Sequence, residues 1–366
     1  MRILTYLSDL ARRRAGGVPR PRFVTWAVTL RCNATCDTCD SWRLPAREEL
    51  TPDQAGAIFE DLGPLDAVRI TGGEPTLRFD LQSLADAVRR ASRPSLLHLT
   101  THGGLPDRVV AFAEAYPDPR HLRILVSLDG LAPEHDRNRG RAASFARAEE
   151  TVRRLTALRR RGLKVSVNHT IASGRALAEA EQLRARFARL EVDVQPVVAY
   201  RTSATYGLAL QGQRAEHLLA RGRYALHPAL DLAATLAFVE RSLSDLSFLR
   251  DRPTRLAKRY YLKGLAARLR GDRAPWPRPP CAALRSHLRL LPDGSVPICQ
   301  FNGELVGRLP QQSAREVWFG SPALRGRSWV DACPGCWAEC EVLPSAVYSG
   351  DLLSLVTGWT GPAARN

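Results

Sequence analysis

Arg31-Cys32-Asn33-Ala34-Thr35-Cys36-Asp37-Thr38-Cys39-Asp40 follows directly on an extended apolar run over residues 23–30. Three cysteines in a Cys-x3-Cys-x2-Cys run cannot all pair as disulfides, because one thiol is left over. On a tight loop they can converge on one soft metal centre, and thiolates favour zinc or an iron–sulfur cluster. A structural zinc takes four protein ligands, and no fourth cysteine or histidine stands nearby, the nearest histidine being His98. A four-iron cluster held by three cysteines leaves one iron open for chemistry, whereas a closed site is only a staple.

Further along, Val68-Arg69-Ile70-Thr71-Gly72-Gly73-Glu74-Pro75 reads as a short apolar strand ending in Gly-Gly-Glu-Pro. Short cysteine clusters are common in zinc proteins, and Gly-Gly-Glu-Pro alone reads as an ordinary turn. Both motifs, in this order and at this separation, resemble the cluster loop and second motif of the radical S-adenosylmethionine (SAM) enzymes. That resemblance implies a 4Fe-4S cluster on Cys32, Cys36 and Cys39. It also implies that Gly72, Gly73, Glu74 and Pro75, through backbone and carboxylate, hold the amino end of SAM.

From residue 23 to about 200, strand-like and helix-like patterns alternate, the mark of βα units and a parallel sheet. Strands are expected over 23–30, 67–70, 96–100, 122–126, 165–170 and 192–198, with helices over 51–62, 81–91, 107–115, 143–161 and 176–190. Thr51 caps the first of these helices with Pro52 at its first position, and Gly162 closes the long one. Six repeats fit a partial (β/α)6 TIM-like barrel, an α/β fold. In parallel barrels ligands sit at the C-terminal ends of strands. There the chain carries Thr101-His102-Gly103-Gly104, Ser127-Leu128-Asp129-Gly130, Asn168-His169-Thr170 and Gln195-Pro196-Val197. The resemblance places Ser127, Asn168 and Gln195 at SAM and Asp129 near the active-site mouth as a candidate catalytic group. Ser127 and Asp129 also read as a turn pair before Gly130, and His102 and His169 as packing or turn residues.

Residues 201–280 read as a helical segment, with helices near 214–219, 229–246 and 254–269, followed by a Pro-rich linker. Lys258-Arg259-Tyr260-Tyr261-Leu262-Lys263 reads as a solvated face with its tyrosines packed, with a substrate phosphate or carboxylate site as the alternative. Residues 281–366 form a second module: Cys281-x12-Gly294-x4-Cys299, with a β-hairpin over 288–298 turning at Pro292-Asp293-Gly294, then Cys333-x2-Cys336-x3-Cys340. Zinc ribbons use similar parts. The pattern resembles a truncated SPASM or Twitch extension, which implies one auxiliary 4Fe-4S cluster on four of these five cysteines. Cys281 and Cys299 with Cys333 and Cys336 are favoured, leaving Cys340 as a spare thiol for packing or for proton donation to a substrate radical.

The chain carries a net charge of +16 and 53 Lys and Arg residues, of which only Lys164, Lys258 and Lys263 are lysine. No Arg-rich stretch has the aromatic interleaving of a nucleic-acid platform. Eight cysteines in two groups favour metal over disulfides, and with no signal-peptide core or membrane span a cytoplasmic setting follows. Residues 1–14 read as an amphipathic helix with Ile3, Leu4, Leu7 and Leu10 on one side, packed at the bottom of the barrel or touching a membrane surface. Residues 1–22 are too few for the peptide-recognition domain of peptide-modifying relatives. The resemblance therefore implies reductive cleavage of SAM to a 5′-deoxyadenosyl radical that takes hydrogen from a small molecule, for oxidation or rearrangement, with flavodoxin or ferredoxin as electron donor. Maturation of a ribosomal peptide by a SPASM-type enzyme is the alternative, and a zinc- or cluster-stapled binding protein is the reading from another class.

Overall fold

The computed structural model describes residues 3–200, 205–207, 224–353 and 355. Helix α1 (Ile3–Arg14) leads into β1 (Phe23–Ala27). There follow α2 (Pro52–Leu62), β2 (Ala67–Thr71), α3 (Leu81–Ser92), β3 (Leu96–Thr101), α4 (Pro106–Ala115), β4 (Leu122–Leu128), α5 (Ala132–Arg139), α6 (Ser144–Thr156), β5 (Lys164–Ile171), α7 (Gly174–Ala188) and β6 (Asp193–Val198). The rest of the chain adds α8 (Leu232–Ser244), α9 (Arg252–Arg270), β7 (His287–Leu290), β8 (Ser295–Pro297), β9 (Leu305–Arg308), α10 (Ala314–Phe319), α11 (Ser321–Ala332) and α12 (Glu339–Ser349).

Local chemistry sets the boundaries. Thr51 and Gln54 form a reciprocal capping box with Pro52 just inside α2, satisfying two orphan donors of the first turn. The helix expected over 143–161 ends as α6 at Thr156 and continues as a 3-10 stretch to Arg161, where Gly162 closes it at φ 94°. The polar helix α5 and the helices α10 to α12 are additions to the sequence reading. The helix expected near 214–219 lies outside the described residues.

Strands β1 to β6 lie side by side and parallel, and the sheet has a seventh member, in the order β6-β5-β4-β3-β2-β1-β7. The expected hairpin is thus corrected. Its turn forms, with Gly294 at φ 83° and its N–H donated to Leu291 O. Its arms go to different sheets: β7 runs parallel to β1 from Phe23↔His287 to Trp26↔Leu290, and β8 pairs antiparallel with β9. Without β7, β1 would be an edge strand with a row of unpaired backbone groups.

Side chains on a strand alternate between faces, and the two faces of this sheet differ. Outward-facing Val68, Ile70, Leu97, Leu99, Ile124 and Val126 are buried with Ile58, Phe59, Leu84 and Val88 of α2 and α3 in one core. Inward-facing Arg69, Thr71, His98, Thr100, Arg123, Leu125, Ser127, Asn168 and Thr170 are half-exposed. The concave side is therefore a lumen with accessible walls, unlike the filled interior of a closed eight-stranded barrel. Helix α9 and the start of α12 roof it. Arg123 donates to Thr254 Oγ1 at 2.9 Å, and Lys258 donates to Pro196 O at 3.0 Å and pairs with Glu339 at 2.6 Å. Tyr260 and Tyr261 are packed, but Lys258 is only 1% exposed, so this stretch is no solvated face. Helix α1 lies by the start of β1, where Asp9 meets Arg22 at 3.5 Å, and docks on α12 through Tyr6 Oη to Val347 O at 2.7 Å. It shows Leu4 and Leu7 to solvent.

Candidate active site

The two motifs of the first half are one structure. Gly73 donates its N–H to Thr29 O at 2.8 Å, and Glu74 donates to Arg31 O at 2.9 Å. A Cβ at Gly72 would stand 2.1 Å from Thr29 O, and one at Gly73 would stand 2.2 Å from Arg31 O. Gly72 is also at φ 143°, where side chains are disfavoured. Only glycines let the end of β2 clasp the root of the cysteine loop this closely.

On that loop Cys32, Cys36 and Cys39 are half-buried free thiols. Burial pushes Cys32 up to about 12 and Cys39 up to about 11. The backbone N–H groups of Ala34 and Ser41 work the other way, at Cys32 and Cys39 respectively. Arg139 donates to Cys36 Sγ at 3.6 Å. N–H···S contacts of this kind suit a sulfur that carries charge on iron.

Glu74 belongs to the same joint. Its carboxylate is fully buried and already accepts four hydrogen bonds: Thr76 N at 3.1 Å, Thr76 Oγ1 at 2.6 Å, Thr101 Oγ1 at 2.8 Å and His102 N at 2.8 Å. A buried carboxylate needs such partners, and these point it into the protein. The Glu74 side chain is thus a strut between β2 and β3. His102 extends the strut, with Nδ1 accepting from Gly104 N at 2.8 Å and Nε2 at 2.7 Å from Asn33 Oδ1 of the cysteine loop. The Gly104 bond leaves Nε2 as the protonated nitrogen.

Asp129 is likewise occupied. Arg139 binds it with two donors at 2.6 and 2.8 Å, and Asn138 adds a third at 2.8 Å. Burial alone would raise this carboxyl; Arg139 and His135 more than offset it and hold it low. Asp129 therefore anchors α5, which carries Arg139 to Cys36. Ser127, Asn168 and Gln195 stand in one row across three strands, Ser127 opposite Asn168 and Asn168 opposite Gln195. Gln195 is buried with its Nε2 unpartnered, a donor waiting at the lumen wall.

In the second half, Cys281 feels the charge of Cys333, Cys299 that of Cys281, and Cys336 those of Cys281 and Cys299. Each of the four also faces the backbone N–H two residues on: Ala283, Phe301, Gly335 and Ala338. Cys340 has other surroundings. It begins α12 between Glu339 and Glu341, and its strongest neighbours are Glu341, Arg289, Arg69 and Glu339. Glu341 binds Arg289 at 2.7 Å and His287 at 3.1 Å.

A family model for the Radical SAM superfamily matches residues 26–186. Those residues are similar to a radical SAM domain. Similar proteins include the pre-heme d1 synthase of Dinoroseobacter shibae, 34% identical over 183 residues, which are 46% of this chain and 42% of that protein. The GTP 3′,8-cyclase of Aquifex aeolicus is 34% identical over 158 residues, 40% of this chain and 47% of that one. The chain thus spans under half the length of these relatives. Among solved structures, Streptococcus suis SuiB bound to S-adenosylmethionine superposes with a TM-score of 0.59 at 14% identity, covering 87% of this chain and 70% of that one. Native anSMEcpe with bound AdoMet gives 0.57 at 14% identity, covering 83% of this chain and 82% of that one. These last two show the fold, which reaches past the matched domain into the C-terminal module.

Radical SAM proteins use a 4Fe-4S cluster and SAM, and the residues present fit both. Three thiols lie on one loop with donors turned toward their sulfurs, and the row from Ser127 to Gln195 offers an unpaired donor. Among the described residues no three His, Cys, Asp or Glu side chains close on a single metal ion. A cluster, with one thiolate per iron corner, asks for a wider spread. Also among the described residues, no helix is long and apolar enough to cross a membrane. The residues missed in the sequence are Arg139, Asn138 and His135. They sit on a helix of eight residues, Ala132–Arg139, polar on every side, where no apolar periodicity could announce it.

Proposed function

We propose that this chain is a radical SAM enzyme acting on a small substrate held in the lumen, with Cys32, Cys36 and Cys39 as ligands of the first cluster. Backbone groups of Gly72 to Pro75 and the side chains of Ser127, Asn168 and Gln195 would hold SAM. One observation carries this reading: the three-thiol loop, clasped by Gly72 and Gly73, stands at the C-terminal mouth of an accessible lumen. When bound, the reduced cluster and SAM supply a carbon radical able to take hydrogen from an unactivated position. The chain's own residues do the rest. Arg139 sets a positive charge beside Cys36, favouring the thiolate over the thiol. The strut from Glu74 through His102 to Asn33 fixes the loop over the strands, and α9 and α12 keep bulk water from the lumen.

Cys281, Cys299, Cys333 and Cys336 would hold one auxiliary 4Fe-4S cluster. Their support is the shared backbone N–H···S turn and the charges they exert on one another. Cys340 lacks such a turn among its strongest contacts and faces Arg69 and Arg289 instead. An electron donor such as flavodoxin or ferredoxin would deliver the electron.

The test is anaerobic reconstitution followed by reduction with SAM. The expected result is about eight irons and eight sulfides per chain, with slow release of 5′-deoxyadenosine that disappears when Cys32, Cys36 and Cys39 are all changed to Ala. Stoichiometric zinc in place of iron, or an intact reducible cluster that never yields 5′-deoxyadenosine, sinks the proposal.

A further inference from the structure

The lumen carries an imbalance of charge. Arg69, Arg123 and Arg289 point inward from β2, β4 and β7, and Lys258 points in from α9. Glu341 is taken by Arg289 and His287, and Glu339 is taken by Lys258. Arg123 donates to Thr254 and Ser166 and feels Asp251 and Asp193. Asp193 itself accepts from the backbone N–H groups of Arg250 and Asp251. Arg69 is left over. Among the described residues its guanidinium makes no hydrogen bond and no ion pair; its Nε is sealed without a partner. Its one packed neighbour of note is the Phe23 ring, 5.3 Å from Cζ. His98 Nε2 and Arg123 Nε are also buried and unpartnered.

These three residues are neighbours by register: Arg69 pairs with His98, and His98 with Arg123. Strands about 4.8 Å apart set them across about 10 Å of lumen wall, the breadth of one small charged group and its contacts. Arg69 is three residues before Gly72, so this row lies about 10 Å below the clasp of the cysteine loop. Leaving the sealed Nε of Arg69 without an acceptor is costly. A planar fork of donors with free positions matches a carboxylate or a phosphate.

We propose that Arg69, flanked by His98 and Arg123, binds an oxyanion of the substrate, either a carboxylate or a phosphate. The proposal names a substrate class for the site above and rests on that reading. It makes the lumen a two-point holder: the anionic end is anchored deep, and the reacting carbon is presented about 10 Å higher, at cofactor level. Competing negative charge comes from Cys340, Glu339 and Glu341, all of which Arg69 also feels.

The experiment is isothermal titration of the anaerobically reconstituted full chain, at fixed 0.2 M salt (~8 Å or less of screening length), with inorganic pyrophosphate and, separately, succinate. One of the two should bind saturably with one site per chain, and which one does so tells phosphate from carboxylate. Arg69→Gln should weaken that binding at least about tenfold. Arg69→Lys should weaken it less. Arg120→Gln, which removes an equal charge from a side chain 75% exposed, should bind as wild type does. Absence of saturable binding of either probe overturns the proposal. So does wild-type affinity in Arg69→Gln, or equal loss in Arg120→Gln. If Arg69→Gln does not fold, Arg123→Gln takes its place with the same expected loss, and wild-type affinity there overturns the proposal too. Counting iron in the same samples separates the two readings. Iron-free protein refutes the cluster assignment, whereas iron-loaded protein that ignores both probes refutes only the oxyanion site.

Discussion

Cys340 and Cys336 are four residues apart and both feel Glu341 most strongly, yet their other neighbours differ. Cys336 feels Cys281 and Cys299, whereas Cys340 begins a helix among carboxylates and arginines. Changed singly to Ser, Cys336 should lose about four of the eight irons and Cys340 none. Equal losses would show that the last thiol is a ligand after all. The pattern of five cysteines left this choice open, because spacing alone does not say which sulfur has a backbone N–H turned toward it. Glu74 and Asp129 show the same gap. Their positions at strand ends were legible, but their duties were not, since a carboxylate's role depends on how many donors already surround it. His169 supplies a test in pH. Burial pushes it down to about 4, with Asp129 pulling the other way, against about 6.5 in the unfolded chain. Below about 6.5 the unfolded chain takes the proton first, so stability is full above that pH and falls as pH drops toward 4. The loss from this one group is about 2 kcal/mol by pH 5. Urea midpoints at pH 7 and pH 5 should therefore lie closer together in His169→Gln than in wild type; an unchanged gap would contradict the assignment.

At the scale of elements, the joint between β2 and the cysteine loop bears the most. Gly73→Ala places a Cβ 2.2 Å from Arg31 O, so either the clasp opens or the loop moves. The variant should lose the irons of the first site and keep those of the second, so its iron content should be about half that of wild type. Full iron content would mean that the loop tolerates release from β2. The strands and most of their helices were readable because apolar residues alternate with period two and then 3.6. Among the elements that escaped, α5 has no apolar face, and the pairing of β7 was missed because the nearest strand in sequence is the natural partner to assume. Its true partner, β1, lies at the other end of the chain.

At the scale of the molecule, the C-terminal module is built into the sheet. His287 Nε2 meets Thr25 Oγ1 at 2.9 Å across 262 residues of sequence, and Trp318 Nε1 donates to Pro19 O at 2.9 Å. A chain cut after residue 280 should therefore be insoluble or aggregated, because β1 is left as a bare edge. Soluble, monomeric 1–280, judged by size-exclusion chromatography, would show that the barrel stands without its seventh strand. The charge balance of the lumen is also a property of the whole molecule, since its cations come from β2, β4, β7 and α9, and no single stretch of sequence displays it.

The pairing of β7 with β1 also bears on synthesis. Thr25 and His287 are 262 residues apart, so β1 leaves the ribosome long before β7. The nascent sheet therefore waits with one side unmatched for the greater part of translation. Contacts this remote in sequence fold slowly, and an open strand in a half-made chain invites association. The soluble yield of this chain should therefore rise when ribosome-associated chaperones are supplied during its synthesis, and an unchanged yield would count against this.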